Sequence, residues 1–306
     1  MSDFTSDFWH LYVAILTLVS ILACLVLLWI SGTTKAATHA DNTTGHVWDG
    51  DLQEMNNPLP KWWVYLFIIT VVFALAYGVL YPTFGKYQGV LGWSSQGQHT
   101  AEVQKMQEAI APIYAKFNGM KPEDLAGDAQ AMAIGERLFM NNCAQCHGSD
   151  ARGARSFPNL TDGDWLWGGD VDAIKTTLTQ GRMGNMPPMA AAVGSAEEVR
   201  NLANYVLSLS GTPHDTIRAA SGKASFGTCA ACHGMDGKGN TALGAPNLTD
   251  GVWLHGWGEE AVIRAINNGF NNQMPAQVTL LNESQIHVLT GYVWSLSNRP
   301  NNRPAN

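Results

Sequence analysis

Cys143-Ala-Gln-Cys146-His147 sets two thiols three residues apart, with an imidazole directly after the second. On a single helical turn the two thiols share a face, so both can add across the vinyl groups of one porphyrin. The histidine then projects a nitrogen towards the iron as its proximal ligand. The same device returns as Cys229-Ala-Ala-Cys232-His233. A lone Cys-x-x-Cys also suits a dithiol redox pair or half of a zinc site. The adjoining histidine and the duplication favour covalent attachment instead, and two haem c groups are expected.

A second axial ligand must come from downstream. Aligned Met-Pro pairs nominate Met186, 39 residues after His147, and Met274, 41 after His233. A thioether is soft, favours Fe(II) and raises the potential. Pro187 and Pro275 would hold each loop extended. Met183 and Met189 are rivals in the first loop, but the alignment favours Met186. His255 is a weaker rival to Met274, because its repeat counterpart is Trp167. Equivalent loops leave open which methionine serves which haem. Pro158 and Pro246 open a repeated Pro-Asn-Leu-Thr-Asp-Gly, where a carbonyl could accept the proximal histidine's other N–H; an ordinary loop proline is the equal alternative. The two Asn-Leu-Thr sequences fit the glycosylation pattern, though their equivalent positions favour a structural role.

The elements that must position these residues are themselves duplicated. "FPNLTDGDWLWGG" at 157–169 returns at 245–257, "TQGRMGNMPPM" at 179–189 returns at 267–277, and "NYVLSLS" at 204–210 returns at 291–297. Residues 127–212 and 213–306 therefore read as two copies of one domain. Helical apolar spacing marks 128–142, 171–181, 195–209, 259–268 and 283–297, and no strand alternation stands out. Before them, 83–126 reads as a linker, its Gly- and Ser-rich 83–100 followed by an amphipathic helix with Val103, Met106, Ile110, Ile113 and Phe117 on its packing face.

The first hundred residues are of another kind. Leu11–Ile30 and Trp62–Tyr81 each run twenty residues without a charge, enough to cross a hydrocarbon layer of roughly 30 Å. Trp and Tyr cluster towards the ends of the spans, as the headgroup layer favours. A cleaved signal peptide is the alternative for the first, but its leading residues carry two aspartates and no Lys or Arg. The expected order is a first transmembrane helix within 1–33, a cytoplasmic loop 34–60 and a second transmembrane helix within 61–82. Haem is attached to such motifs outside the bacterial cytoplasm, which puts residues 83–306 and the amino terminus in the periplasm. Lys35 and Lys61 flank the loop in agreement, while Lys86 dissents. The 306-residue chain carries a net charge of −7, and nothing in it suggests a nucleic-acid partner. Cys24, mid-span, reads as a packing residue.

Each repeat resembles a small class I cytochrome c. Over nearly the whole chain, "NNPLPKWWVYLFIIT" before the second span, "YPTFGKYQGVLGW" after it and the tandem haem motifs resemble the di-haem subunit, subunit III (CcoP or FixP), of cbb3-type cytochrome c oxidases. The resemblance implies a mainly α fold: two transmembrane helices, then two tandem class I cytochrome c domains. It implies a bacterial inner-membrane electron-transfer subunit with no substrate chemistry of its own, in a proton-pumping terminal oxidase. Electrons would pass from a donor cytochrome c towards a mono-haem subunit and the catalytic haem–copper subunit. Cys143, Cys146, His147 and Met186 would form one set, and Cys229, Cys232, His233 and Met274 the other. Many family members have one span, so the role of residues 1–60 is open. The alternatives are an anchored di-haem cytochrome serving a nitric oxide reductase or a dehydrogenase, and a di-haem peroxidase, which would need one iron without a firm sixth ligand.

Overall fold

The structure is a computed structural model and describes residues 6–33, 40 and 42–298. Lys35, one of the cations assigned to the loop, lies outside the described residues. The chain divides into two compact units, residues 1–109 and 110–306.

The first unit holds helix α1 (Asp7–Thr33), a hairpin of β1 (Thr43–Trp48) and β2 (Leu52–Met55), helix α2 (Lys61–Leu80) and the start of α3 (Ser95–Asn118). No residue of α1 is buried, and in α2 only Gly78 is. A soluble protein's core helix would be covered, so these bare apolar surfaces require lipid or another membrane protein around them. Two threonine hydroxyls within them are satisfied by their own helix: Thr17 donates to the Val13 carbonyl and Thr70 to that of Phe67. Just beyond α2, the Lys86 ammonium meets Asp7 and the Lys86 amide donates to His10 Nδ1, 2.9 Å away. The start of α1 and the end of α2 therefore lie together, and the helices run antiparallel. The hairpin was not expected. It turns at Trp48-Asp49-Gly50-Asp51-Leu52, where Asp49 and Gly50 have φ of 51° and 90°. Its side chains are nearly all exposed, so no buried face imprinted an alternation on the sequence.

The second unit is helical. It contains the end of α3, α4 (Pro122–Leu125), α5 (Ala129–Asn142), the single turn α6 (Ala144–His147) and α7 (Val171–Gln180). Strand β3 (Arg182–Met186) leads to α8 (Ala190–Val193) and α9 (Ala196–Leu209). The second repeat supplies α10 (Thr216–Gly222), a 3-10 segment at Ala224–Thr228, α11 (Ala230–His233), α12 (Glu259–Asn268), β4 (Phe270–Met274) and α13 (Glu283–Asn298). The five expected long helices are present within a residue or so at each end. Three of the starts are chemically specified: Asp128 and Asp170 accept backbone N–H groups at α5 and α7, and Ser195 with Glu198 forms a capping box at α9. In α3 the buried face is Tyr114 and Phe117 with Ile110 beside them, while Met106 and Ile113 of the expected stripe are exposed.

The cores do not follow the repeat boundary. One packs α5, Cys143 and α7 of the first repeat against Leu281, Ile286, Leu289, Tyr292, Val293 and Leu296 of the second. The other packs α9 of the first repeat against Phe226, Cys229, Val262 and Ile266 of the second. The crossing is visible in one aromatic contact made twice. Phe139 meets Tyr292 at 5.8 Å, and their counterparts Tyr205 and Phe226 meet at 5.3 Å, so each pair joins one repeat to the other. Strands β3 and β4 form the crossover as an antiparallel ladder, in register from Arg182↔Met274 to Met186↔Phe270.

Candidate haem sites

The two Cys-x-x-Cys-His motifs adopt one backbone. Cys143 ends α5 and starts α6, its carbonyl accepting from the Cys146 amide at 3.1 Å and the His147 amide at 2.9 Å. Cys229 does the same for Cys232 at 3.2 Å and His233 at 3.0 Å. This tight turn brings both cysteines and the histidine of each motif together, as the spacing predicts.

Each histidine is buried and oriented. His147 Nδ1 lies 3.0 Å from the Pro158 carbonyl oxygen, and His233 Nδ1 lies 3.0 Å from that of Pro246. A carbonyl only accepts, so each ring donates from Nδ1 and keeps a lone pair on Nε2 for a metal. Of the two readings open for Pro158 and Pro246, the structure selects the acceptor. The prolines are held in turn by their loops: Asn159 Oδ1 accepts from the Thr161 amide and hydroxyl, and Asn247 Oδ1 does so from Thr249. The Asn-Leu-Thr sequences thus spend their side chains inside the loop.

The donor set fits haem c. Burial, with a smaller effect of Cys146, pushes the Cys143 thiol up to about 11, and burial raises Cys229 as well. Dithiol redox pairs depend on a lowered thiol pKa, so these motifs are poor ones. Among the described residues no three His, Cys, Asp or Glu gather into a further metal site.

Met186 and Met274 are half-buried, at opposite ends of the β3–β4 ladder. Met183 is 64% exposed, and Met189 packs against the second core. His255 is occupied elsewhere: its Nδ1 meets Ser156 Oγ at 3.0 Å, its Nε2 meets Asn272 at 3.0 Å, and its ring stacks on Phe270 at 3.8 Å. At the equivalent place Arg182 lies over Trp167, 5.0 Å from the ring centroid. These contacts flank the ladder on both sides, and neither was visible in the sequence, since each pairs residues far apart in the chain.

Two apolar helices followed by a duplicated, histidine-oriented Cys-x-x-Cys-His fold define a membrane-anchored tandem cytochrome c. Comparison with known proteins narrows the class. The family "N-terminal domain of cytochrome oxidase-cbb3, FixP" matches residues 40–88, and "Cytochrome C oxidase, cbb3-type, subunit III" matches 130–206 and 218–293. The cbb3-type cytochrome c oxidase subunit CcoP of Rubrivivax gelatinosus is 60% identical over 97% of both chains. The FixP subunit of Azorhizobium caulinodans is 41% identical over 83% of this chain and 92% of its own. CcoP of Cereibacter sphaeroides is 36% identical over 86% and 97%. The chain belongs to the CcoP/FixP family, subunit III of cbb3-type cytochrome c oxidases. Coverage of 97% takes in α1, so the Rubrivivax relative extends over the additional span.

Proposed function

We propose that the chain is the electron relay of its oxidase and carries two haem c groups. One is attached to Cys143 and Cys146 with His147 as proximal ligand, the other to Cys229 and Cys232 with His233. Met186 and Met274 are the distal ligands. Bound haem supplies a reversible one-electron iron couple. The protein contributes placement and tuning. Its thioethers fix the porphyrins, the Pro158 and Pro246 carbonyls hold each imidazole in one tautomer, and the methionines favour Fe(II). An iron held by one of these histidines and a methionine would offer no open position for oxygen or peroxide, and the chain would act as a carrier only. Its donor is a soluble or anchored cytochrome c, and its acceptors are the mono-haem subunit and then the haem–copper subunit.

Both termini and the haem-bearing unit face the periplasm of a bacterial inner membrane, with residues 34–60 on the cytoplasmic side. Lys86, the cation that opposed this orientation, is paired with Asp7, which weakens its vote. The observation that carries the reading is the pair of equivalent histidine–carbonyl contacts, His147–Pro158 and His233–Pro246, in a chain of this family. Purification from native membranes in mild detergent tests it. The chain is expected to bring down a copper-bearing oxidase, and its reduced c-type haems are expected to ignore carbon monoxide. A carbon-monoxide-binding c-type haem would replace the relay with a peroxidase, and a complex without copper would assign the chain to another partner.

A further inference from the structure

We infer that the two repeats exchange their distal ligands. Met186, carried by the first repeat, serves the iron held by Cys229, Cys232 and His233; Met274 serves the iron held by Cys143, Cys146 and His147. The inference rests on the methionines being ligands at all, and adds which iron each one serves.

Four features of the fold place the methionines this way. The first is the ladder itself. With Arg182 opposite Met274 and Met186 opposite Phe270, the two methionines are four rungs apart, about 14 Å at the usual strand rise. Each strand therefore carries its methionine away from its own helix and delivers it beside the helix of the other repeat.

The second feature is what waits at each end. Gly181, which terminates α7, sits so close to Met274 that a Cβ there would overlap the Met274 carbonyl. Gly269, which terminates α12, stands in the same relation to the Met186 carbonyl. The third is the anchoring of the loops that follow. The Gln277 amide donates to the Leu178 carbonyl of α7 at 2.8 Å, and the Met189 amide donates to the Ile266 carbonyl of α12 at 2.8 Å. The Met274 loop is thus fastened to the first repeat and the Met186 loop to the second.

The fourth is the cores. Cys143 shares its cluster with α7 and α13, whereas Cys229 packs with α9 and α12. Each haem motif therefore faces the methionine and the closing helix of the other repeat. Ligation within a repeat would require each methionine side chain to reach back along the ladder, past the partner strand, to the core it has left.

The test uses the full-length chain in its complex, with one haem optically labelled. Cys229→Ser leaves one thioether and one intact vinyl on the second haem, which red-shifts its α-band. Met186→His in that background replaces a thioether by an imidazole and lowers the potential of whichever iron Met186 serves. In an optical redox titration the red-shifted band is expected to move to lower potential while the unshifted band stays. Movement of the unshifted band instead would overturn the exchange and leave the ligand assignment standing. No movement of either band would show that Met186 is not a ligand, overturning both. The reciprocal pair, Cys143→Ser with Met274→His, gives the same discrimination if the first variant assembles poorly.

Discussion

At the scale of single residues, the site depends on small contacts that fix protons. His147 and His233 each give Nδ1–H to a proline carbonyl, and that one bond decides which nitrogen can meet a metal. The Cys-x-x-Cys-His motifs stand out by residue type and spacing, whereas Met186 and Met274 stand out only when the two repeats are aligned. The carbonyl acceptor was legible only as one of two options, since a backbone group leaves no signature in its own residue type. Wholly illegible was the meeting of Asp162, Asp164 and Asp250, carboxylates from two repeats. Burial, then Asp250, then Asp162 push the Asp164 carboxyl up to about 6 from an ordinary 3.8. Between those values the folded chain holds a proton that the unfolded chain releases, so stability falls as pH rises through that window. Asp164→Asn removes the effect. Its melting temperature is expected to exceed the parent's at pH 7 and to match it near pH 4. A difference independent of pH in thermal melts would contradict this origin.

At the scale of elements, the helices announced themselves and the strands did not. Helices α5, α7 and α9 have side-chain caps and a 3.6-residue apolar period, which one buried face imposes. Segments 182–186 and 270–274 read Arg-Met-Gly-Asn-Met and Phe-Asn-Asn-Gln-Met, with neither alternation nor β-branched residues. Their pairing is set by where α7 and α12 end, not by propensity. Gly181 and Gly269 make the ends possible. Their φ/ψ of 72°/−178° and 66°/−168° lie in a region held almost only by glycine, with a neighbouring carbonyl where a Cβ would go. Gly181→Val is expected to destabilise the unit by about 1–3 kcal/mol from backbone strain, with more from the clash. Gly163→Ala meets open space and ordinary φ, so it serves as the control. Equal melting temperatures for the two variants would remove the crossover's claim to a glycine hinge.

At the scale of the molecule, duplication and folding are not the same partition. The repeat offset marks two copies, yet each hydrophobic core takes helices from both, because the chain crosses over at β3 before either copy closes. Sequence similarity reports descent, and packing reports which surfaces meet; only coordinates separate the two. The consequence is that neither haem motif has a complete core within its own repeat. The two Cys-x-x-Cys-His motifs are mechanically joined through these shared cores. In the membrane unit, the Asp7–Lys86 and His10–Lys86 contacts tie the additional helix to the segment after α2, so α1 is a packed part of the anchor.

In the proposed relay, electrons reach the oxygen-reducing subunit through this chain. Oxygen consumption by the purified complex, driven by reduced donor cytochrome c, measures it directly in parent and in Cys143→Ala/Cys146→Ala, which cannot attach the first haem. At equal copper content and equal subunit assembly, the variant is expected to lose most of the parent's rate. An undiminished rate in an assembled variant shown to lack that haem would contradict the relay.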